Sequence, residues 1–144
     1  MADSGPGRDP QLYYEFSTTP GARVPHARLE LGSRPLSSLD LVDGVSFALL
    51  TGPGGEGWTD AATAASARTG VAISVHVIGA LDGVLDPYGE WAQRREVGPS
   101  GCVLVRPDQH IAWRTSRFCE NAAAAELTVV MERVLGLSEP VPAA

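Results

Sequence analysis

Two cysteines, three histidines and an arginine–aspartate turn hold most of the reactive chemistry in this 144-residue chain. Dithiol redox chemistry needs Cys-x-x-Cys at a helix N-terminus, where the dipole lowers the thiol pKa. Cys102 and Cys119 do not form that motif. Cys102 stands in an apolar run and reads as a buried, inert thiol, while Cys119 has only Arg117 as a basic neighbour. A disulfide between the two is a minor alternative. His26 and Glu30 are four residues apart, but a metal site needs three or four converging ligands, and no third cluster accompanies them. No Gly-x-Ser-x-Gly elbow is present, so a Ser-His-Asp arrangement cannot be drawn.

Acid–base chemistry remains open. His26 or His76 would serve as general base, with Arg106 or Arg114 holding an oxyanion. Arg106, Asp108 and Arg114 gather round one turn, where a guanidinium could grip a phenolate or carboxylate against Trp113 or Trp91. The structural alternative is a turn-locking ion pair, and it is the favoured reading. His110 belongs to the same turn and is expected to be exposed. The loop 52–57, Gly-Pro-Gly-Gly-Glu-Gly, feeds a helix and could present N–H groups to an anion. It lacks the Lys-Ser/Thr of a phosphate loop and carries Trp58 there instead, so it reads as a turn.

The elements that position these groups follow from period and punctuation. The run 101–114 is a hairpin: Cys102 to Val105 is apolar at every position, and Pro107-Asp108 makes the turn. Ile111 and Trp113 are expected to share one face, with Ala112 and Arg114 on the other. Upstream, 26–31 is a short strand and 45–51 a buried one. A helix over 59–69 is expected with Thr59 as N-cap and Gly70 as its stop. In the strand over 71–79, Val71, Ile73, Val75 and Val77 face one way and Ala72, Ser74, His76 and Ile78 the other. A helical turn is expected over 88–93. A last helix, capped by Asn121, runs to Leu135 and stops at Gly136.

Strand–helix–strand implies a parallel pair, and the hairpin an antiparallel one. The predicted fold is therefore α/β, a mixed sheet of four to five strands with helices on both faces, in the thioredoxin-like arrangement. Pro99, just before the third core strand, stands where that arrangement carries a cis-proline, and a cis bond is expected there. One domain over 12–137 is predicted, with disordered ends at 1–11 and 138–144.

Composition narrows the partners. The net charge is −6, and the only basic doublet, Arg94-Arg95, is flanked by Glu90 and Glu96. Nucleic acid and anionic membranes need a concentrated positive face, so the charge argues against both. The polar, Gly/Pro-rich start has no apolar signal core, and no stretch reaches the roughly 20 apolar residues of a spanning helix. A cytoplasmic protein is expected.

The run Pro20-Gly-Ala-Arg-Val-Pro-His26 and the run Leu104-Val-Arg-Pro-Asp108 with Ala112-Trp-Arg114 resemble a known module. With Ser38-Leu-Asp-Leu41, Phe47-Ala-Leu-Leu50 and Trp58, they are similar to the C-terminal thioredoxin-like domain of FAD-dependent aromatic-ring hydroxylases, the flavoprotein monooxygenases of phenol catabolism and aromatic polyketide tailoring. The resemblance covers roughly residues 13–136. It implies that Pro20, Gly21, Arg23, Pro25, His26, Asp40, Pro99, Arg106, Pro107, Asp108, Trp113 and Arg114 form a structural motif. Arg23 would tie its segment to Asp40 or Asp108. Gln109 departs from the family, which commonly has glycine in that turn.

The hydroxylases place an FAD domain and a substrate domain first, and their chemistry takes place there. This chain has no room for those domains, and its 52–57 loop, although spaced Gly-x-Gly-x-x-Gly after a strand, is read as a turn. It opens on Met1-Ala-Asp-Ser as a stand-alone protein would, although an excised domain would look the same. The expected function is a non-redox accessory or interaction module without a cofactor, linked to aromatic metabolism. Its expected partners are a flavin hydroxylase, another tailoring enzyme or a second copy in a homodimer. The alternative is a small cofactor-independent enzyme or binder for an aromatic small molecule such as a polyketide intermediate.

Overall fold

The computed structural model describes residues 18–79 and 83–136. In chain order these form β1 (Arg28–Leu31), β2 (Arg34–Ser37), a 3-10 turn (Ser38–Leu41), β3 (Phe47–Thr51), α1 (Trp58–Thr69), β4 (Ile73–Val77), α2 (Glu90–Arg94), β5 (Cys102–Val105), β6 (Ile111–Thr115) and α3 (Ala123–Leu135). The expectations for the chain ends at 1–11 and 138–144 lie outside the described residues.

β3 is buried at all five positions because it runs through the middle of a four-stranded sheet ordered β4-β3-β5-β6. It pairs parallel with β4, as a strand–helix–strand unit requires, and antiparallel with β5; β5 and β6 form the hairpin. The two-residue period sorts the sheet into two cores. Phe47, Leu49, Cys102 and Leu104 face α1 and α3, meeting Trp58, Ala61, Ala62, Ala65, Leu127 and Met131. Ala48, Leu50, Val103 and Val105 face the opposite way, toward Val24, Leu29, Leu41 and the α2 residue Trp91. Helices therefore cover both faces, with the separate β1–β2 hairpin completing the second layer. The buried face of α1 is mainly alanine, which brings the helix backbone close to the sheet.

Several boundaries differ from expectation for local reasons. β3 begins at Phe47 rather than at 45, because Asp43 Oδ1 accepts the N–H groups of Val45 and Ser46 at 2.8 Å each and holds that stretch as a turn. The first strand begins at Arg28, not His26. β2 was not expected: Pro35 argues against a strand, yet it is tolerated in a two-stranded hairpin. Its turn, Gly32-Ser33, takes φ of 58° and 71°, the left-handed pair that suits a tight hairpin. Helix α1 includes Trp58 and follows Gly57, with no side-chain cap from Thr59. α3 follows Ala122 rather than Asn121; the Cys119 carbonyl takes the Ala122 and Ala123 N–H groups at 3.0 and 2.8 Å, so a backbone turn leads into the helix.

The largest correction concerns β6. Leu104 pairs with Trp113 and Val105 with Ile111, which makes Ala112 the extra residue of a β-bulge. The bulge breaks the two-residue alternation. Ile111 enters the core of the α2 side, and Trp113 packs into the α1/α3 side. They do not share a face.

Candidate functional site

The Pro20–His26 run lies beside the tip of the β5–β6 hairpin. Thr19 to Ala22 is a turn closed by Ala22 N–H to Thr19 O at 2.9 Å, with Pro20 at its first corner and Gly21 at φ 97°, a left-handed position suited to glycine. From there the backbone pairs outward: Gly21 N–H donates to Ile111 O, Ile111 N–H to Ala22 O and Val24 N–H to Gln109 O, each at 2.8 Å. Pro25 and Ala27 are buried, and the Ser38 hydroxyl clamps them, donating to Pro25 O at 2.6 Å and accepting from Ala27 N–H at 2.9 Å.

Arg23 does not reach Asp40 or Asp108. Its Nε and Nη2 both donate to Gln109 Oε1, at 3.1 and 2.6 Å. Asp40 is occupied elsewhere, accepting Ser37 N–H at 2.8 Å in a capping box over the 3-10 turn. Asp108 pairs with Arg106 across the turn, where Gln109 N–H returns to Arg106 O at 2.9 Å and Pro107 sits at the first corner. Asp108 Oδ1 also accepts His110 N–H at 3.1 Å. Both members of the Arg106–Asp108 pair are well exposed, so the pair shapes the turn more than it stabilises the fold.

Arg114 points away from that turn. Its Nη1 donates to Thr18 Oγ1 at 2.9 Å and to Glu96 Oε1 at 2.8 Å, while Thr18 N–H also donates to Glu96 Oε1 at 2.8 Å. Neither tryptophan serves Arg106 or Arg114 as a platform. Trp91 is buried in the opposite core, and Trp113 packs edge-on against Trp58 with ring centroids 6.1 Å apart. Phe118 meets Trp58 from another side at 5.3 Å, and Trp58 Nε1 donates to Ser100 O at 2.9 Å.

Pro99 is trans, as are all peptide bonds among the described residues. It stands at the first corner of the turn Gly98–Gly101, closed by Gly101 N–H to Gly98 O at 2.9 Å, and a trans proline suits that corner.

The histidines do not converge. His26 Nδ1 lies 2.7 Å from Ser37 Oγ, and its carbonyl accepts from Arg94 Nη1 at 2.6 Å. His76 sits on β4, at the sheet edge opposite β6. Three strand spacings of ~4.8 Å put it about 14 Å from the strand that carries Arg114. A histidine base and an arginine oxyanion clamp are therefore not assembled from His76 and Arg114. His76 lines a concavity of about 460 Å³ with Arg34, Leu36, Asp40, Asp43 and Ser74. Burial lowers its pKa, while Asp43 and the Leu41 carbonyl act the other way. Its Nε2 is buried without a hydrogen-bond partner.

Sequence reasoning missed a second knot. Glu90 of α2 accepts from Arg28 N–H at 2.8 Å, Nε at 3.0 Å and Nη2 at 2.6 Å, and Arg28 also lies 4.1 Å above the Tyr88 ring. The Arg28 guanidinium holds the Glu90 carboxyl down at about 2. One signal was available: Asp86-Pro87-x-Gly89 before a helical turn, where Asp86 accepts the N–H groups of Trp91 and Ala92.

The thiols are separate and free, Cys102 buried and Cys119 exposed. Burial pushes the Cys102 pKa far up. Among the described residues, no group of three His, Cys, Asp or Glu side chains could hold a metal ion. None of the helices there is long and apolar enough to cross a membrane.

A family model described as aromatic-ring hydroxylase, C-terminal, matches residues 17–138. The chain belongs to that family. It is 41 % identical over 135 residues to 2,4-dichlorophenol 6-monooxygenase of Delftia acidovorans, covering 94 % of this chain and 23 % of that protein. It is 40 % identical over 119 residues to aklavinone 12-hydroxylase RdmE of Streptomyces purpurascens, covering 83 % of this chain and 22 % of the relative. Among solved structures, the flavin-dependent monooxygenase PieE in complex with FAD and substrate matches with a TM-score of 0.85 and 51 % identity, over 96 % of this chain and 23 % of that one. The chain thus spans less than a quarter of the length of the relatives it matches.

The glycine-rich strand-to-helix loop does not fit a flavin cradle. A Cβ on Gly55 would lie 1.8 Å from Thr51 Oγ1, and one on Gly57 would lie 2.4 Å from Phe118 Cζ. The N–H groups of Gly52, Gly55 and Trp58 already donate to Pro99, Gly52 and Gly55 carbonyls. The glycines admit protein side chains, not a pyrophosphate.

Proposed function

We propose that this domain is a non-redox, thioredoxin-like accessory module that works beside the flavin- and substrate-binding parts of an aromatic-ring hydroxylase, with no cofactor or reaction centre of its own. One observation carries the reading: the arginines and the Pro20–His26 run of the expected structural motif are engaged within the domain. Arg23 grips Gln109, Arg114 is tied to Glu96 and Thr18, and the Pro20–His26 run is hydrogen-bonded to the hairpin. Side chains committed in this way hold a framework. The relatives' printed activities, on a chlorophenol and on aklavinone, support aromatic metabolism as the setting. Two unpaired thiols support a reducing compartment such as the cytoplasm.

The test supplies the purified chain to an aromatic-ring hydroxylase truncated of its own C-terminal domain. The module is expected to co-elute with the truncated flavoprotein and raise its melting temperature. Alone it should show no flavin absorbance on addition of FAD and no turnover of phenols. Flavin binding or turnover by the isolated chain, or failure to associate, would overturn the reading.

A further inference from the structure

Residues 18–23 are fastened to the domain by polar contacts. Only Thr18 among them is buried, and none contributes a side chain to either apolar core. Thr18 N–H donates to Glu96 Oε1 at 2.8 Å, and its hydroxyl donates to Arg95 O at 2.6 Å. Arg114 Nη1 donates to that hydroxyl at 2.9 Å and to Glu96 Oε1 at 2.8 Å. Further along, Gly21 N–H to Ile111 O and Ile111 N–H to Ala22 O, each at 2.8 Å, lay the segment along the outer edge of β6. Arg23 then reaches Gln109. The hold changes character at the next residue. Val24 and Pro25 are buried, Val24 within the core of the α2 side, and the Ser38 hydroxyl donates to Pro25 O at 2.6 Å.

Backbone strain is concentrated on the same segment. Among the described residues, Ser33, Glu96 and Gln109 are the non-glycine positions with positive φ. Ser33 belongs to the β1–β2 turn. The other two grip residues 18–23 with their side chains, Glu96 at φ 64° holding Thr18 and Gln109 at φ 73° holding Arg23. A left-handed backbone is unfavourable for a residue with a Cβ and persists only where its surroundings impose it. Letting the segment go would allow both backbones to relax. The groups uncovered beneath Thr18 are the Glu96 carboxylate, the Arg114 guanidinium and the Arg95 carbonyl, all of which water can satisfy. Held and released states are therefore closer in free energy than the number of hydrogen bonds suggests.

We infer that residues 18–23 form a strap that lifts from β6 as a unit while the sheet stays folded, with Glu96 as its latch and Val24-Pro25 as its hinge. The chain ahead of residue 18 joins the strap at the latched end. A pull from that side falls on Glu96, Arg114 and Thr18 before it reaches either core. Release adds the length of residues 18–23, roughly 20 Å when extended, to the tether between the domain and whatever lies ahead of it. The strap thus switches the domain between a close hold and a loose one.

Native-state hydrogen exchange of the full chain separates local release from unfolding. In the wild type, the Gly21 and Ile111 amides should exchange through an opening that low urea does not accelerate. The Leu50 and Val103 amides, in the central β3–β5 pair, should follow the urea dependence of global unfolding. Glu96→Gly removes the latch while leaving a residue that tolerates the left-handed backbone. In that variant the Thr18, Gly21 and Ile111 amides should speed up together by about tenfold, the effect of losing a hydrogen bond to a charged group. The Val24, Leu50 and Val103 amides should be unchanged. Should the variant not fold, the urea dependence of the wild type decides alone. Wild-type strap amides that track global unfolding would overturn the inference. So would a Glu96→Gly effect confined to Thr18, or one spread equally to Val24 and Leu50.

Discussion

Gln109 adopts φ 73° at the tip of the β5–β6 hairpin while its side-chain oxygen receives two N–H groups of Arg23. A left-handed backbone costs a residue with a Cβ about 1–2 kcal/mol. The link to Arg23 returns part of that, about 1 kcal/mol for exposed hydrogen bonds to a charged group. The two effects can be separated. Gln109→Ala keeps the strain and loses the bond, and should lower stability by about 1 kcal/mol. Gln109→Gly loses the bond but relieves the strain, and should stay within about 0.5 kcal/mol of the wild type. Urea denaturation of both variants checks this. Equal losses in the two would mean that φ at 109 carries no cost.

Gly55 and Gly54 are neighbours with opposite tolerance. A methyl at Gly55 would overlap the buried Thr51 hydroxyl, which donates to Gly101 O at 2.5 Å, whereas one at Gly54 meets Ser100 Cβ at 3.3 Å. Gly55→Ala is expected to cost about 2–3 kcal/mol through overpacking. Gly54→Ala should cost less than about 1 kcal/mol, since φ there is not left-handed. Thermal melts of the pair read the difference, and a tolerant Gly55 would show that the loop can move away from Thr51.

Much of this frame was legible in the sequence. The buried run at Phe47–Thr51, the parallel crossover, the hairpin and both main helices follow from period and punctuation, which local sequence reports well. What escaped depends on contacts distant in sequence or on one inserted residue. The Ala112 bulge leaves every residue type in place and changes only which face each occupies, so Ile111 and Trp113 looked like one stripe. Arg23 had two carboxylates as candidate partners, and the chain instead brings it to a neutral amide whose own backbone is strained. The Arg28–Glu90 knot spans 62 residues, a separation at which spacing carries no signal.

Acid should destabilise the fold in two stages. His76 is half-buried against the Leu41 carbonyl, with Asp43, Asp40 and Arg34 as the charged groups around its concavity, and burial sets its folded pKa below the unfolded one. The unfolded chain then binds the proton better, so stability is complete above about pH 6.5 and falls as pH drops toward the folded value. Glu90, held at about 2 by Arg28, contributes stability present above the ordinary carboxyl range and lost as pH falls toward 2. Chemical denaturation at a series of pH values should show both stages. His76→Gln should flatten only the first and Glu90→Gln only the second; a first stage unchanged in His76→Gln would mean that another group titrates there.

The two thiols should report burial directly. Cys102 is fully buried in β5 with its pKa pushed up by that burial, whereas Cys119 is exposed ahead of α3. Thiolate exposure governs attack on a disulfide reagent. In the native protein an aromatic disulfide reagent should therefore label one thiol promptly, and Cys119→Ser should abolish that phase. The second thiol should react only at the rate of global opening, appearing in full in denaturant, because β5 pairs on both sides and cannot open locally. Prompt labelling of both thiols in the folded chain would show that β5 opens without the rest of the sheet, against the packing described for Leu104 and Trp58 around it.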